Sequence, residues 1–159
     1  MSSRRIVRER VMQALYAHKL AGGDPQHVID TILKPDLAEN EANLEFARKL
    51  FLKSLDYFDI ADEIIAQHAQ NWEITRIALI DRLLLVMAIC EFLSFEDIPP
   101  KVSINEAIEV AKKYSTSRSG KFINGILDAV LLELQQDGRL KKSGRGLVGI
   151  ETIQNRMSS

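Results

Sequence analysis

The stretch 76–92, RIALIDRLLLVMAICEF, constrains the fold more than any other part of this chain. Ile77, Ile80, Leu84, Met87 and Glu91 mark one face of a helix, while Leu83, Val86 and Cys90 cover another. A helix apolar on most of its sides has to be the central one of its domain, surrounded by others. The uninterrupted apolar run 83–90 is less than half the length of a membrane span, so the burial is expected inside a protein core. Glu91 interrupts this helix, and a carboxylate placed there needs a partner. A structural hydrogen bond is the expected answer, because no matching base for acid catalysis is visible.

The remaining segments repeat the helical period. Ser2 and Ser3 can cap a helix running to about Leu20, which Gly22-Gly23 then stops. Asp24-Pro25 restarts the chain as a short helix, with Pro35 just past Leu33. Leu44, Ala47, Leu50, Phe51, Ser54, Leu55 and Phe58 recur at three- and four-residue steps over 41–57, and 61–69 continues the pattern after a break near Asp59. Ser103-Ile-Asn-Glu106 reads as a capping box opening a helix over 104–114. A polar stretch follows, and a last helix over 119–136 ends at Gly138. No strand-like alternation is convincing. The expected fold is all-α, in two small helical bundles that join near Asn71. Residues 1–137 form the domain, and 138–159 make a basic, mobile tail.

Little here supports catalysis. His18, His27 and His68 fall on different helices without a second ligand at helical spacing, so no metal or cofactor is expected. Cys90 sits in the most buried run, where a thiol behaves as a small apolar group. No phosphate-cradling glycine loop is present. A single cysteine among 159 residues fits a reducing cytoplasm, and MSSRRIVRER lacks the apolar core of a signal peptide. The expectation is a soluble intracellular protein that is not an enzyme.

Binding is better supported. A net charge of −1 hides a segregation: residues 1–23 carry +4, 24–63 carry −6, 64–137 carry −3 and 138–159 carry +4. A basic helix on an acidic body points to a localised polyanion site. On a helical wheel Arg5, Arg8, Met12, Tyr16 and Lys19 fall in one sector, an arrangement of guanidinium groups and a ring that suits single-stranded RNA. At 115–122, Ser117 and Ser119 add hydroxyls, Arg118 and Lys121 charge, and Phe122 a ring, ahead of a helix N-terminus. The competing reading is a helical adaptor whose basic stripe meets an acidic protein.

Segment 101–128, KVSINEAIEVAKKYSTSRSGKFINGILD, closely resembles the second-half signature of the bacterial NusB family. RRIVRERVMQALYA and the stretch from Trp72 through Asp81-Arg82 to Glu91 resemble it too, so the likeness spans about residues 4–135. The resemblance implies two helical bundles and a transcription antitermination factor. Such a factor binds boxA RNA of ribosomal RNA operons together with ribosomal protein NusE, in a complex with NusA, NusG and RNA polymerase. Carried over by position, it implies RNA contacts at Arg4, Arg5, Arg8, Ser117, Arg118, Ser119, Lys121 and Phe122. It implies a NusE surface at Tyr16, Leu20, Arg76 and Asp81. Arg118 stands where many relatives carry an acid, which predicts stronger RNA affinity. Phosphate contacts by Arg4, Arg5, Arg8, Arg118 and Lys121 would give a salt slope of about −3.5.

Overall fold

The computed structural model describes residues 3–70 and 77–150, and among these every regular element is helical. α1 (Arg4–Ala21) is followed by α2 (Pro25–Val28), a π-helical turn (Ile29–Leu33) and α3 (Lys34–Leu37). Then come α4 (Glu41–Asp56), α5 (Phe58–Ala69), α6 (Leu79–Ser94), α7 (Pro100–Tyr114) and α8 (Ser117–Gln136). α1 to α4 pack on one another as one bundle and α5 to α8 as a second. α6 runs between them, touching α1 and α4 on one side and α5, α7 and α8 on the other. Its residues 83–90 and Phe92 are all buried, as a helix apolar all round requires.

Three expectations about the chain's punctuation are corrected. The divide between bundles falls at Tyr57 rather than near Asn71, because α5 packs on α6 and α8. Pro35 does not end the second helix: the preceding turn widens, with the Lys34 N–H reaching the Ile29 carbonyl, and the chain stays helical to Leu37. Such a π turn tolerates a residue that cannot donate. Ser103 and Glu106 do not form a capping box either, since α7 already starts at Pro100. Proline at a helix start needs no N–H. Ser103 is therefore free to turn inward and Glu106 outward.

The expectation of a mobile tail is also corrected for 138–150, while 151–159 lie outside the described residues. Gly138, at φ 71°, turns the chain out of α8, and the Arg139 and Leu140 amides both donate to the Leu134 carbonyl. Leu140 and Ile150 then pack against the core. The Lys142 ammonium donates to the carbonyls of Glu91 (2.9 Å) and Phe95 (2.7 Å), and the Ser143 amide to Glu96 (3.0 Å). The Glu91 and Phe95 carbonyls already accept from the Phe95 and Ile98 amides, so Lys142 uses their second lone pairs, while Ser143 supplies the donor to Glu96. Lys142 went unnoticed in the sequence because one lysine in a basic tail carries no periodic signal.

Candidate nucleic-acid interface

The α1 stripe straddles the edge of the buried face, and the structure splits it. Val7, Val11, Ala14 and Leu15 face the core, and Arg8 and Met12 go in with them, 4% and 2% exposed. Arg4, Arg5, Tyr16 and Lys19 stay on the surface. Arg8 forks onto Glu91, Nε to Oε2 at 2.9 Å and Nη2 to Oε1 at 2.8 Å, while Ser103 Oγ donates to Oε1 at 2.8 Å. Burial works against the Arg8 charge, but the opposite charge and hydrogen bonds of Glu91 outweigh it and raise its pKa. Arg8 as an RNA contact is thus corrected: its fork is occupied in the core, and it is the partner that Glu91 required.

Arg5 lies at the surface, with Nε and Nη2 on Glu106 at 2.9 and 3.1 Å and half of its side chain in solvent. Arg4 stacks 4.1 Å over the Phe46 ring. Farther along, Glu9 accepts from Lys113 Nζ (2.8 Å) and from the Tyr114 hydroxyl, and Gln13 donates to the Tyr114 oxygen at 2.9 Å. Residue numbers rise together on both helices, so α1 and α7 run parallel along one seam. Glu106 and Tyr114 are eight residues apart, about 12 Å of helix. The bend at 115–116 starts where this seam ends.

At that bend the proposed constellation divides by burial. Arg118 and Lys121 are exposed in the first turns of α8. Ser119 is 4% exposed and donates its hydroxyl to Asp81 Oδ2 at 2.8 Å, with the Ser115 hydroxyl 2.7 Å away. Phe122 is 6% exposed and belongs to the core. Ser119 and Phe122 therefore build the bend rather than face a ligand, which corrects their assignment to RNA. The Ser117 side chain lies outside what is described. Arg4 and Arg5 line a cavity at the start of α1 that Arg118 and Lys121 do not enter.

Tyr16 and Leu20, one turn apart, are 39% and 65% exposed, a patch open to a partner. Asp81 is 7% exposed and tied to Ser119, so its place in a docking surface is corrected to a support for the bend. Arg76 lies outside the described residues. Cys90 is buried, and burial pushes its thiol up to about 12, leaving it protonated and unreactive. His68 pairs with Glu133 at 2.8 Å and His18 with the Gly23 carbonyl at 3.1 Å. No cluster of metal-ligating side chains occurs among the described residues.

Around the start of α1 a cavity of about 690 Å³ opens, lined by Arg4 and Arg5 and also by Lys49 of α4 and Arg145 of the C-terminal segment. Neither of these last two stood out in the sequence, since each is an isolated base far along the chain.

These features define a class: an all-helical scaffold with a salt-bridged interior and exposed basic groups along the α1–α7 seam. Comparison with known proteins narrows it. The NusB family pattern matches residues 5–132. A transcription antitermination protein NusB from Salinibacter ruber is 54% identical over 159 residues, covering all of this chain and 99% of that one. The solved structure of T. maritima NusB superposes with a TM-score of 0.74 at 34% identity, over 83% of this chain and 92% of that one. A structure described as antitermination factors NusB and NusE in complex with dsRNA gives 0.71 at 25% identity, over 80% and 95%. The chain belongs to the NusB family, whose members are transcription antitermination factors rather than enzymes.

Proposed function

We propose that this protein binds boxA RNA of ribosomal RNA operons together with ribosomal protein NusE. The pair then joins NusA, NusG and RNA polymerase in a cytoplasmic antitermination complex. The observation carrying this reading is the set of exposed bases, Arg4 and Arg5 on α1 and Arg118 and Lys121 on α8, on a NusB-family scaffold. Phosphates give affinity through such side chains, while sequence preference comes from base edges and stacking. The exposed Tyr16–Leu20 patch supports docking of NusE on a neighbouring surface of α1. Binding of each partner then favours the other by one reciprocal factor.

The test is fluorescence anisotropy with labelled boxA RNA and a scrambled RNA of equal length, with and without NusE. Preference for boxA, tightening by NusE and loss in an Arg4→Ala/Arg5→Ala variant are expected. Equal affinity for both RNAs refutes boxA recognition and leaves a protein-binding adaptor.

A further inference from the structure

The C-terminal segment is held in place by more than its hydrogen bonds. Gly146 is buried, and a Cβ built there would stand 1.8 Å from the Glu96 carbonyl oxygen and 2.9 Å from its carbon. The segment therefore lies backbone to backbone on the α6–α7 connection, in a short 3-10 turn over Gly144–Leu147. This contact presents Arg145, exposed, to the cavity at the start of α1.

The cavity's charges do not cancel. Arg8 is enclosed with Glu91, and the half-exposed Arg5 shares its charge with Glu106, which leaves Arg4, Lys49 and Arg145 facing Asp97. Among the described residues none of these three bases has a carboxylate within ion-pair distance. Two rest on rings instead, Arg4 on Phe46 at 4.1 Å and Lys49 on Phe95 at 4.5 Å. Ring faces hold a cation in place without neutralising it. Partial burial, and next the nearby Arg8 charge, push the Arg4 guanidinium below its ordinary pKa, so an arriving anion relieves repulsion. Pro99 and the 40%-exposed Val102 supply an apolar wall, and about 690 Å³ is room for a nucleotide.

We propose that the docked segment 138–150 completes a phosphodiester-binding cavity for single-stranded RNA, in which Arg145 and Lys49 act with Arg4. This rests on the RNA-binding reading above and adds contacts that it did not include. Arg4, Arg5, Arg118 and Lys121 alone give a salt slope of about −2.8, and adding Lys49 and Arg145 makes it about −4.2.

The experiment is a salt series of boxA RNA anisotropy on the full chain, comparing wild type with Arg145→Ala, Lys49→Ala, Gly146→Val and Arg139→Ala. Arg145→Ala and Lys49→Ala each lose about fivefold in affinity at 0.1 M salt and flatten the slope by about 0.7. Gly146→Val lifts the segment and matches Arg145→Ala, and adding Arg145→Ala to it changes nothing more. Arg139, exposed on the same segment but paired with Asp137 at 3.1 Å and outside the cavity, leaves the slope unchanged when replaced. Wild-type RNA binding with Arg145→Ala and Lys49→Ala indistinguishable from it overturns this inference alone. A wild type that binds no RNA overturns the parent reading as well. Lys49→Ala keeps the test decisive even where Gly146→Val fails to fold.

Discussion

Replacing Arg8 separates a structural ion pair from an RNA contact. Glu91 is 1% exposed and accepts two hydrogen bonds from Arg8 and one from Ser103. Removing Arg8 leaves a buried carboxylate with a single hydroxyl donor. Two unit charges about 4 Å apart at an effective dielectric of about 20 attract by about 4 kcal/mol. That agrees with the roughly 3–5 kcal/mol lost when one partner of a buried pair is removed. Arg8→Met and Glu91→Leu should each cost that much in urea unfolding at pH 7, read by linear extrapolation. The double variant removes both charges and leaves only the Ser103 hydroxyl without its acceptor, so it should fall within about 1–3 kcal/mol of wild type. A coupling energy of several kcal/mol in the cycle is the signature of the pair. The double variant should also keep wild-type affinity for boxA RNA. Arg8→Met costing under about 1 kcal/mol, or a stable double variant with weakened RNA binding, refutes the structural assignment.

Ser119→Ala leaves Asp81 buried without its hydroxyl donor and should cost about 1–3 kcal/mol of unfolding free energy. Salt-independent loss of RNA affinity in the folded variant would count against a purely supporting role. At Glu9, burial raises the carboxyl pKa, but hydrogen bonds from Lys113 and Tyr114 prevail and hold it below the ordinary 4.5. Its contribution is present above pH 4.5 and lost as pH falls, so Glu9→Gln should narrow the stability difference between pH 7 and pH 3. For Lys142, burial lowers the ammonium to about 8 from 10.5. The native state then binds fewer protons than the unfolded one across this window, and stability gains with rising pH. Measured against Lys142→Met, wild type should gain stability between pH 8 and 10.5, and a loss there contradicts the burial.

The all-helical fold was legible because it rests on period and punctuation. Residues 83–90 are apolar on every side and had to become a central helix, whatever surrounded it. Gly22-Gly23 and Gly138 end helices through backbone freedom that other residues lack, which is a local property. Glu91's need for a partner was equally legible, since burying a lone charge is costly anywhere. Family membership came from the same linear pattern, in the 101–128 segment.

Which base answers Glu91 was decided only in three dimensions, across 83 residues of chain. A wheel places Arg5, Arg8 and Tyr16 in one sector but cannot say where the edge of the neighbouring helix cuts it. The packing of α6 and α7 against α1 made that cut, taking Arg8 in and leaving Arg5 out. Ser119 and Asp81 carried side chains that serve equally as ligand or as support, and only the fold shows them buried and hydrogen-bonded to each other. The docking of Lys142 and Gly146 was invisible for a related reason. The place of a carbonyl at the end of α6 is set by tertiary geometry, and one lysine or one glycine in a polar tail shows no periodicity through which sequence can announce that it meets it.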